Sequence, residues 1–460
     1  MKKVVLFLVG VVVLGSQVSE NCSEDQDCNS LSYCEEGECK HKDLFPLKTI
    51  EIIGTVLILV LSALANSAGI GGGPLMVPIL ILLLGFNTHL AIPLAQTIIF
   101  GGSLIAIILK LKMRHPQKNK PLIYYEIIMH VQSPVLLGTS FGVILNRAFP
   151  SWLILVLLSA LLIYTGYKTL KKGLKLFKSE SQCKAEAWEG ICDEPFSETS
   201  EHSRDYFASQ PERNPTKESL QKIHKKESGL VEWRWLAVIL GIFGIVVLGS
   251  FMKGDKGAES IIGIENCSAN YWVFLIVFSL VLVGIDLATG WLLIRENKKK
   301  ETLGYEFDSG DLHWDLRKVS IVGGIGLFAG LGAGMLGIGG GLVMNPVMLS
   351  LGVRPEVAAA SSSFMILFTS SVAVIQFGTA GLLKLGYAIW LLVTAFLGSA
   401  LGIFSLQRIM QRHQRSSVLV VLLAFMLFLA AVVIVVYGVI DLIQQESEGS
   451  VDYGFSDFCK

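Results

Sequence analysis

Charged residues are scarce in this chain. Only 17% of its 460 residues are Asp, Glu, Lys or Arg, whereas 52% are hydrophobic. Neither sign of charge is in excess, since 38 Lys and Arg balance 38 Asp and Glu. A chain this apolar is atypical of soluble proteins, and it lacks the basic surface that nucleic-acid phosphates require. The sequence therefore predicts a membrane protein whose solvent is the lipid bilayer, and it excludes nucleic acid as a partner.

The sequence also lacks the residue patterns of catalysis. It contains no recognisable nucleophile and base pair and no cluster of metal ligands. Its Gly-rich runs are not followed by the Lys and Ser or Thr of a nucleotide-binding loop. We therefore predict that the protein is not an enzyme, that it has no cofactor or metal, and that any transport would use an ion or substrate gradient. The coupling ion is not indicated.

The N-terminus has the layout of a secretory signal peptide, with Lys2 and Lys3 before an apolar run and small residues. A first membrane span is the alternative, although the run is shorter than the ~20 residues a span needs. A short polar head follows, at 20–47. Its four cysteines are candidates for two disulfide bonds with three pairings open: Cys22, Cys28, Cys34 and Cys39.

Ten apolar runs are long enough to be predicted as membrane spans. They lie at 48–66, 88–109, 122–146, 152–167, 235–251, 271–294, 319–336, 355–377, 385–404 and 418–441. Two shorter runs, 74–86 and 342–352, follow clusters of Gly. They are too short to cross alone, so we expect broken or re-entrant segments.

Clusters of Lys and Arg beside the spans predict which loops face the cytoplasm. They place 110–120, 168–178, 295–300 and 408–415 there, with the head on the opposite side. Asn21 and Asn266 match the N-glycosylation pattern on that opposite side. We expect an integral membrane protein that enters by the secretory pathway, with the plasma membrane as the favoured destination and an internal membrane as the alternative.

Seven segments follow from these observations. They are a signal peptide at 1–19, a Cys-rich head at 20–47, a first transmembrane repeat at 48–178, a cytoplasmic polar linker at 179–232, two connecting transmembrane helices with their loops at 233–317, a second transmembrane repeat at 318–441 and a polar tail at 442–460.

The strongest signal is a Gly-rich motif that occurs twice. Residues 69–78 read GIGGGPLMVP and residues 337–346 read GIGGGLVMNP. The likeness continues beyond the motifs, where residues 85–91 align with residues 352–358 after a shift of one residue. With the predicted topology, the two halves enter the membrane from opposite sides. The predicted fold class is therefore an all-α polytopic membrane protein with two inverted repeats and Gly-broken transmembrane helices.

The chemistry of such a break favours an anion. Consecutive glycines let the backbone leave helical geometry, and a helix that begins there directs free N–H groups and its positive dipole end into the gap. Close helix packing through small residues is the alternative. The residues expected to bind the substrate are Gly69, Gly71, Gly72, Gly73, Pro74, Gln96, Thr97, Gly337, Gly339, Gly340, Gly341, Asn345, Ser361, Ser362 and Ser363.

Other polar residues lie within or beside the predicted spans. Asp286 is costly in a membrane and so a candidate for a coupling role. His130 could relay protons, although an interhelical hydrogen bond is the simpler interpretation for it and for Gln132. Lys110 and Glu126 lie near the ends of predicted spans. Their long side chains could extend to the membrane–water interface, and this would suffice to explain charged residues there.

The sequence resembles the TauE/SafE family of sulfite exporters, which are 4-toluene sulfonate uptake permease-like, and especially its plant-like eukaryotic branch. The likeness covers roughly 48–441 and is carried by 69–78, 111–116, 337–346, 355–364 and 368–371. It implies an all-helical carrier of sulfite, sulfonates or related organosulfur anions, with the broken helices forming the path. The repeat is not strict: Pro74 corresponds to Leu342 and Val77 to Asn345, so the two half-sites could be unequal.

The predicted function is therefore secondary transport of a small anion. The alternative is a membrane receptor or scaffold that acts through its Cys-rich head and its linker. The sequence does not indicate the exact substrate, the direction of transport or the oligomeric state.

Overall fold

A computed structural model describes most of the chain. It covers residues 31–35, 38–67, 69, 71–114, 120–188, 229, 231–255, 257–265, 267–305, 312–413 and 417–448. The predicted signal peptide, Cys22, Cys28 and both glycosylation candidates lie outside these residues, as do most of the linker and the tail.

Two short strands and twelve helices make up the described structure. They are β1 Ser32–Glu35, β2 Glu38–His41, α1 Thr49–Ser67, α2 Gly73–Leu82, α3 Thr88–Lys110, α4 Tyr125–Ala148, α5 Ser151–Trp188, α6 Trp233–Lys253, α7 Ala269–Thr302, α8 Leu316–Leu336, α9 Gly341–Ser350, α10 Pro355–Thr379, α11 Leu385–His413 and α12 Ser417–Glu448. Helix α5 continues beyond the predicted start of the linker at 179, and α12 continues beyond the predicted start of the tail.

The all-α membrane fold is confirmed. Among the described residues, nine helices are long and apolar enough to cross a membrane, and they coincide with nine of the ten predicted spans. The tenth predicted span lies within α12, which includes an apolar stretch at Leu427–Val439. The two short runs form α2 and α9, each of 10 residues. At 1.5 Å per residue each extends about 15 Å, roughly half the thickness of a bilayer core.

Helices of the first half pack on helices of the second. Gly138 and Gly142 of α4 lie against Gly330 and Gly334 of α8, so closely that a Cβ on any of them would meet backbone atoms of the other helix. Helices α1 and α11 make an equivalent contact, in which Gly398 and Gly402 approach the backbone at Leu59 and Ala63. Small residues permit this approach in membrane helices. The halves are thus interleaved.

Helices α6 and α7 are added to one side of this core. The α6 side chains Trp235, Ile239 and Ile242 are buried. In contrast, α7 leaves many large apolar side chains exposed, among them Val273 and Leu280. Apolar exposure of this extent is what lipid contact requires of a membrane helix.

The head docks on one end of the bundle. Strands β1 and β2 pair antiparallel with Cys34 opposite Cys39. The imidazole of His41 stacks on Phe86 with 4.0 Å between ring centroids, and its Nε2 lies 2.8 Å from the carbonyl oxygen of Leu84. The head is therefore packed against the turn that follows α2.

Several loops meet the head at this end of the bundle. Lys384 Nζ donates a 2.5 Å hydrogen bond to the carbonyl oxygen of His41, and Lys42 forms a 2.8 Å ion pair with Glu51. The loop between α6 and α7 is at the same end, since Gly257 N donates to the Thr379 carbonyl oxygen at 2.8 Å. At the opposite end of the bundle, Lys110 and Lys112 lie at the C-terminus of α3, and 295–300 are the last turns of α7.

Disulfide bonds occur at the head's end of the bundle. Cys34, one of the four predicted head cysteines, is disulfide-bonded. Cys267, which lies in the α6–α7 loop and was not predicted to be bonded, is disulfide-bonded too. The side chain of Cys39 lies outside the described part, as do Cys22 and Cys28.

We expect docking of the head to weaken in acid. Burial is the largest cause and lowers the pKa of His41 below its ordinary 6.5. Hydrogen bonds to the Leu84 and Lys42 carbonyls raise the pKa in part. The charge of Lys384 lowers the pKa and that of Glu51 raises it, both by less. Because the pKa of His41 is lower in the folded than in the unfolded protein, its contribution to folding stability is complete above pH 6.5. That contribution is lost as the pH falls through the pKa of His41 in the folded protein.

Thermal unfolding of the wild-type chain and of His41→Gln, measured above and below pH 6.5, checks this expectation. The Gln amide can still donate to Leu84, but it does not titrate. The difference in stability between the two proteins should shrink in acid. A difference that is constant or grows in acid would contradict the assignment to His41.

Candidate functional site

Both Gly motifs break a helix. In the first motif Gly69, Gly71 and Gly72 have φ between 77° and 84°. In the second, Gly337 and Gly339 have φ of 69° and 70°. Residues with a Cβ rarely adopt this left-handed region, so the glycines are required by backbone geometry. The chain leaves α1 or α8, turns through the break and begins α2 at Gly73 or α9 at Gly341.

The two breaks are in contact with each other. A Cβ built on Gly73 would lie 2.6 Å from the carbonyl oxygen of Gly337 and 2.6 Å from the Cα of Ile338. The N-terminus of α2 therefore starts against the second break. Pro74, in the first turn of α2, has no N–H to leave unsatisfied there.

Helices α3 and α10 pass the breaks in a reciprocal manner. Gly69 of the first half contacts Ala359 of α10, whereas Gly337 of the second half contacts Ile92 of α3. The alignment of 85–91 with 352–358 makes Ile92 and Ala359 equivalent. Each break is thus closed by the equivalent position of the other half.

A pair of isoleucines lies between the breaks. A Cβ on Gly71 would be 3.0 Å from the Cγ2 atoms of both Ile99 and Ile366, and a Cβ on Gly339 would be 3.6 Å from the same two atoms. Ile99 and Ile366 are also equivalent in the alignment. The centre of the paired breaks is therefore apolar, with the backbone of both Gly motifs beside it.

Lys110 places a buried amine next to the first break. Its side chain is 7% exposed. Nζ donates to Ser363 Oγ at 2.8 Å, to the Ala359 carbonyl at 3.3 Å and to the Asn66 carbonyl at 3.4 Å. Gly69 N also donates to the Asn66 carbonyl, at 3.2 Å. The ammonium group therefore contacts the backbone at the start of the break.

The interpretation of Lys110 as a residue reaching out to the interface was wrong. Its side chain turns back into the protein and contacts both halves. Among the ion pairs of the described residues, none includes Lys110. Burying a charge without a counter-charge is costly, so this position favours an anionic ligand.

The three consecutive serines of α10 are all buried, as the sequence suggested, but they do different things. Ser361 Oγ accepts a 2.9 Å hydrogen bond from Tyr124 N, just before α4. Ser363 accepts from Lys110 and donates to the Ala359 carbonyl at 2.8 Å. Ser362 Oγ has no protein partner. The Ser362 carbonyl lies against Gly341, at the start of α9.

The polar candidates on α3 are divided. Gln96 is fully buried, and its Nε2 donates to the Ala333 carbonyl of α8 at 2.5 Å, which ties α3 to the helix that ends at the second break. Thr97 donates to the Pro93 carbonyl of its own helix at 3.1 Å, the ordinary behaviour of a helical threonine. Asn345 is buried on α9, at 2% exposure, and Gly340 precedes that helix.

Some buried polar atoms have no protein partner. They include Gln96 Oε1, Ser362 Oγ and both amide atoms of Gln132, whose side chain is fully buried on α4. Buried polar atoms are normally hydrogen-bonded, so such groups call for a ligand or water. Gln96 and Ser362 lie beside the second break, as the contacts with Ala333 and Gly341 indicate.

These features define a class of protein: a polytopic all-α membrane protein in which two interleaved halves each contribute a half-length helix to a central pair of Gly breaks. The chain matches the family described as sulfite exporter TauE/SafE over residues 3–169 and 219–434. It belongs to that family. The match begins at residue 3, so it extends into the N-terminal segment, beyond the stretch that carried the resemblance.

Curated relatives agree with this assignment. The chain is 28% identical over 409 residues to sulfite exporter TauE/SafE family protein 3 of Arabidopsis thaliana, which covers 89% of this chain and 83% of the relative. It is 30% identical over 409 residues to family protein 2 of the same plant, covering 86% of this chain and 85% of the relative. No solved structure matches the chain.

Proposed function

We propose that the protein is a secondary carrier of a small anion, with sulfite or an organosulfur anion such as a sulfonate as its substrate. The observation that carries the proposal is Lys110, a buried cation beside the first break that has no carboxylate partner among the described residues. Family membership supports the same class of substrate, since the curated relatives are named as sulfite exporter family proteins.

The anion is proposed to bind where the two breaks meet. The N-terminus of α2 begins against the second break, so its positive dipole end adds to the charge of Lys110. Ser363 positions the ammonium group, while Gln96 and Ser362 retain atoms that need a partner. The glycines and Pro74 allow the backbone to approach the anion, and Gly340 and Asn345 belong to the start and the middle of α9, which begins at the second break.

The position equivalent to Lys110 in the second half is Phe377, which is fully buried. Among the described residues, the position equivalent to Lys110 thus has no cation, and the proposed site is asymmetric in charge. We expect an anion to bind closer to the first break than to the second.

The two halves are proposed to be inverted repeats. The reciprocal contacts of Gly69 with Ala359 and of Gly337 with Ile92 support a two-fold relation between them. Disulfide-bonded Cys34 and Cys267 at one end of the bundle support an oxidising compartment there, and the Lys-rich loops at the other end support a cytoplasmic face. This orientation fits entry by the secretory pathway and residence in the plasma membrane.

Flux of sulfite through proteoliposomes of the purified chain tests the function, with sulfate, thiosulfate and a sulfonate as competitors. We expect saturable flux that Gly340→Leu greatly reduces. Gly340 has a helical φ of −58°, and a Cβ there would meet side chains of Val135 and Thr369 at 3.1 and 3.3 Å rather than backbone. The variant should therefore fold with its break occluded.

Gly378→Leu is the matched control, because a Cβ at that position has nothing within 4 Å. It should transport like the wild type. Undiminished flux in folded Gly340→Leu would remove the second break from the path. Absence of flux for every anion in the wild type would favour the receptor or scaffold alternative.

A further inference from the structure

A histidine and an aspartate meet inside the membrane, away from the Gly breaks. His130 of α4 and Asp286 of α7 have 3.2 Å between Nδ1 and Oδ1. The His130 side chain is 1% exposed and that of Asp286 is 24% exposed. Both lie in helices apolar enough to cross a membrane, where ionisable groups are costly and mark function.

A backbone carbonyl fixes the tautomer of His130. Its Nε2 lies 3.0 Å from the carbonyl oxygen of Val319 on α8. A carbonyl oxygen only accepts hydrogen bonds, so Nε2 must carry a hydrogen. In a neutral ring, Nδ1 then presents a lone pair to Asp286. A neutral imidazole beside an ionised carboxylate would place two acceptors in contact at 3.2 Å.

One additional proton relieves this conflict. Placed on Nδ1 it gives an imidazolium paired with a carboxylate, and placed on Oδ1 it gives a carboxylic acid that donates to a neutral imidazole. Both arrangements hold the same number of protons, one more than a neutral imidazole beside an ionised carboxylate. Both atoms are buried without a hydrogen-bond partner, so the geometry favours a pair that, taken together, binds one proton.

Among the described residues, neither His130 Nδ1 nor Asp286 Oδ1 has another hydrogen-bond partner. Glycines on α7 and α8 line it, since Cβ atoms built on Gly290 and Gly323 would each lie 3.4 Å from the His130 ring. The Trp314 ring approaches with its edge, at 6.0 Å between centroids. Of the other charges on α4, α7 and α8, Lys300 pairs with Glu126, Glu296 with Arg234 of α6, Glu301 with His313 and Arg147 with Asp255. Lys318 donates to the His313 carbonyl, and Arg295, Lys298, Lys299 and Arg317 are exposed.

We infer that His130 and Asp286 form a proton-binding site whose loading is coupled to movement of the anion, so that the proton is the coupling ion. The inference rests on the proposed carrier function. The pair joins α4, α7 and α8, and α8 is the helix that ends at the second break. Loss of the proton would place two acceptors in contact between α4 and α7 and so favour a different packing beside α8.

Asp286→Asn separates this role from a structural one. An Asn amide can donate to Nδ1 of a neutral ring, which preserves the interhelical contact without any additional proton. His130→Gln likewise keeps a donor for the Val319 carbonyl but removes the imidazole ring. Glu296→Gln, on the same helix as Asp286, is the control for loss of an acidic charge.

The proton is first measured without transport. The wild-type chain, labelled with ¹⁵N-histidine in lipid nanodiscs, should show either an imidazolium that His130→Gln removes or, by infrared difference, a carboxylic acid that Asp286→Asn removes. A neutral Nε2–H imidazole beside an ionised Asp286 would overturn the inference, whatever the flux.

Coupling is then measured in proteoliposomes with sulfite and an imposed pH gradient. One proton moved with each singly charged anion permits accumulation of up to about tenfold per pH unit. Wild type and Glu296→Gln should accumulate the anion, while Asp286→Asn should equilibrate it without accumulation. Full accumulation by Asp286→Asn would overturn the coupling role. If the proton is found but no wild-type flux is, the carrier proposal fails and the coupling role fails with it.

Discussion

Lys110→Met is expected to abolish anion transport while leaving the protein at least as stable as the wild type. Loss of a buried, hydrogen-bonded charge partner costs about 2 to 5 kcal/mol of binding, or roughly 30- to 5,000-fold in affinity. The same change should not unfold the protein, because a buried ammonium without a counter-charge is itself unfavourable. Met has a similar length and fills the space with apolar atoms.

Sulfite flux and thermal unfolding, measured together on Lys110→Met, check the prediction. Lys112→Met is the matched control, since Lys112 is exposed two residues further along. The control should match the wild type in both measurements. Lost stability in Lys110→Met, with flux reduced only in proportion to the folded protein, would instead assign Lys110 a structural role.

The sequence predicted the parts of the fold that depend on local pattern. Long apolar runs predicted the spans because a bilayer core fixes the length of a helix that crosses it. The Gly motifs predicted the two breaks because a run of glycines permits left-handed φ values, as at Gly71 and Gly339. Ser361 to Ser363 were predicted to bind the substrate; the structure shows that all three are buried, as polar residues that avoid lipid are.

Features that depend on tertiary contacts were not predictable in the same way. Lys110 ends an apolar run, and the sequence does not specify whether its long side chain turns outward or inward. Its contacts with residues far away in the sequence, such as Ala359 and Ser363, distinguish these cases. The pairing of His130 with Asp286 is similar, because the two lie in separate segments and neither position carries a motif.

The interleaving of the halves explains how the site remains asymmetric although the motifs repeat. Each break is closed by a helix of the other half, so a residue near one break is not constrained by the repeat that contains it. Lys110 and Phe377 occupy equivalent positions yet differ in charge. A duplicated backbone thus supports two half-sites that differ at the position of Lys110.

Gly73→Ala is expected to disrupt the folded bundle, although it adds a single methyl group. That Cβ would lie 2.6 Å from both the Gly337 oxygen and Ile338 Cα, and 2.8 Å from Ile338 C. All three are backbone atoms, so no side-chain rotation relieves the clash, and the second break must move. Overpacking of this kind costs about 1 to 3 kcal/mol or more. Detergent-solubilised Gly73→Ala should show a lower unfolding temperature and a smaller monodisperse fraction.

The matched control is Gly241→Ala in α6, where a Cβ has nothing within 4 Å. Ala is favoured over Gly inside a helix by roughly 0.5 to 1 kcal/mol, so the control should unfold at the same or a slightly higher temperature. A lower unfolding temperature for Gly73→Ala, together with an equal or higher one for Gly241→Ala, would follow only if Gly73 lies against the second half of the protein. Equal stability of the two variants would mean that α2 does not begin against the second break, and the proposed anion site would lose the contact on which it is built.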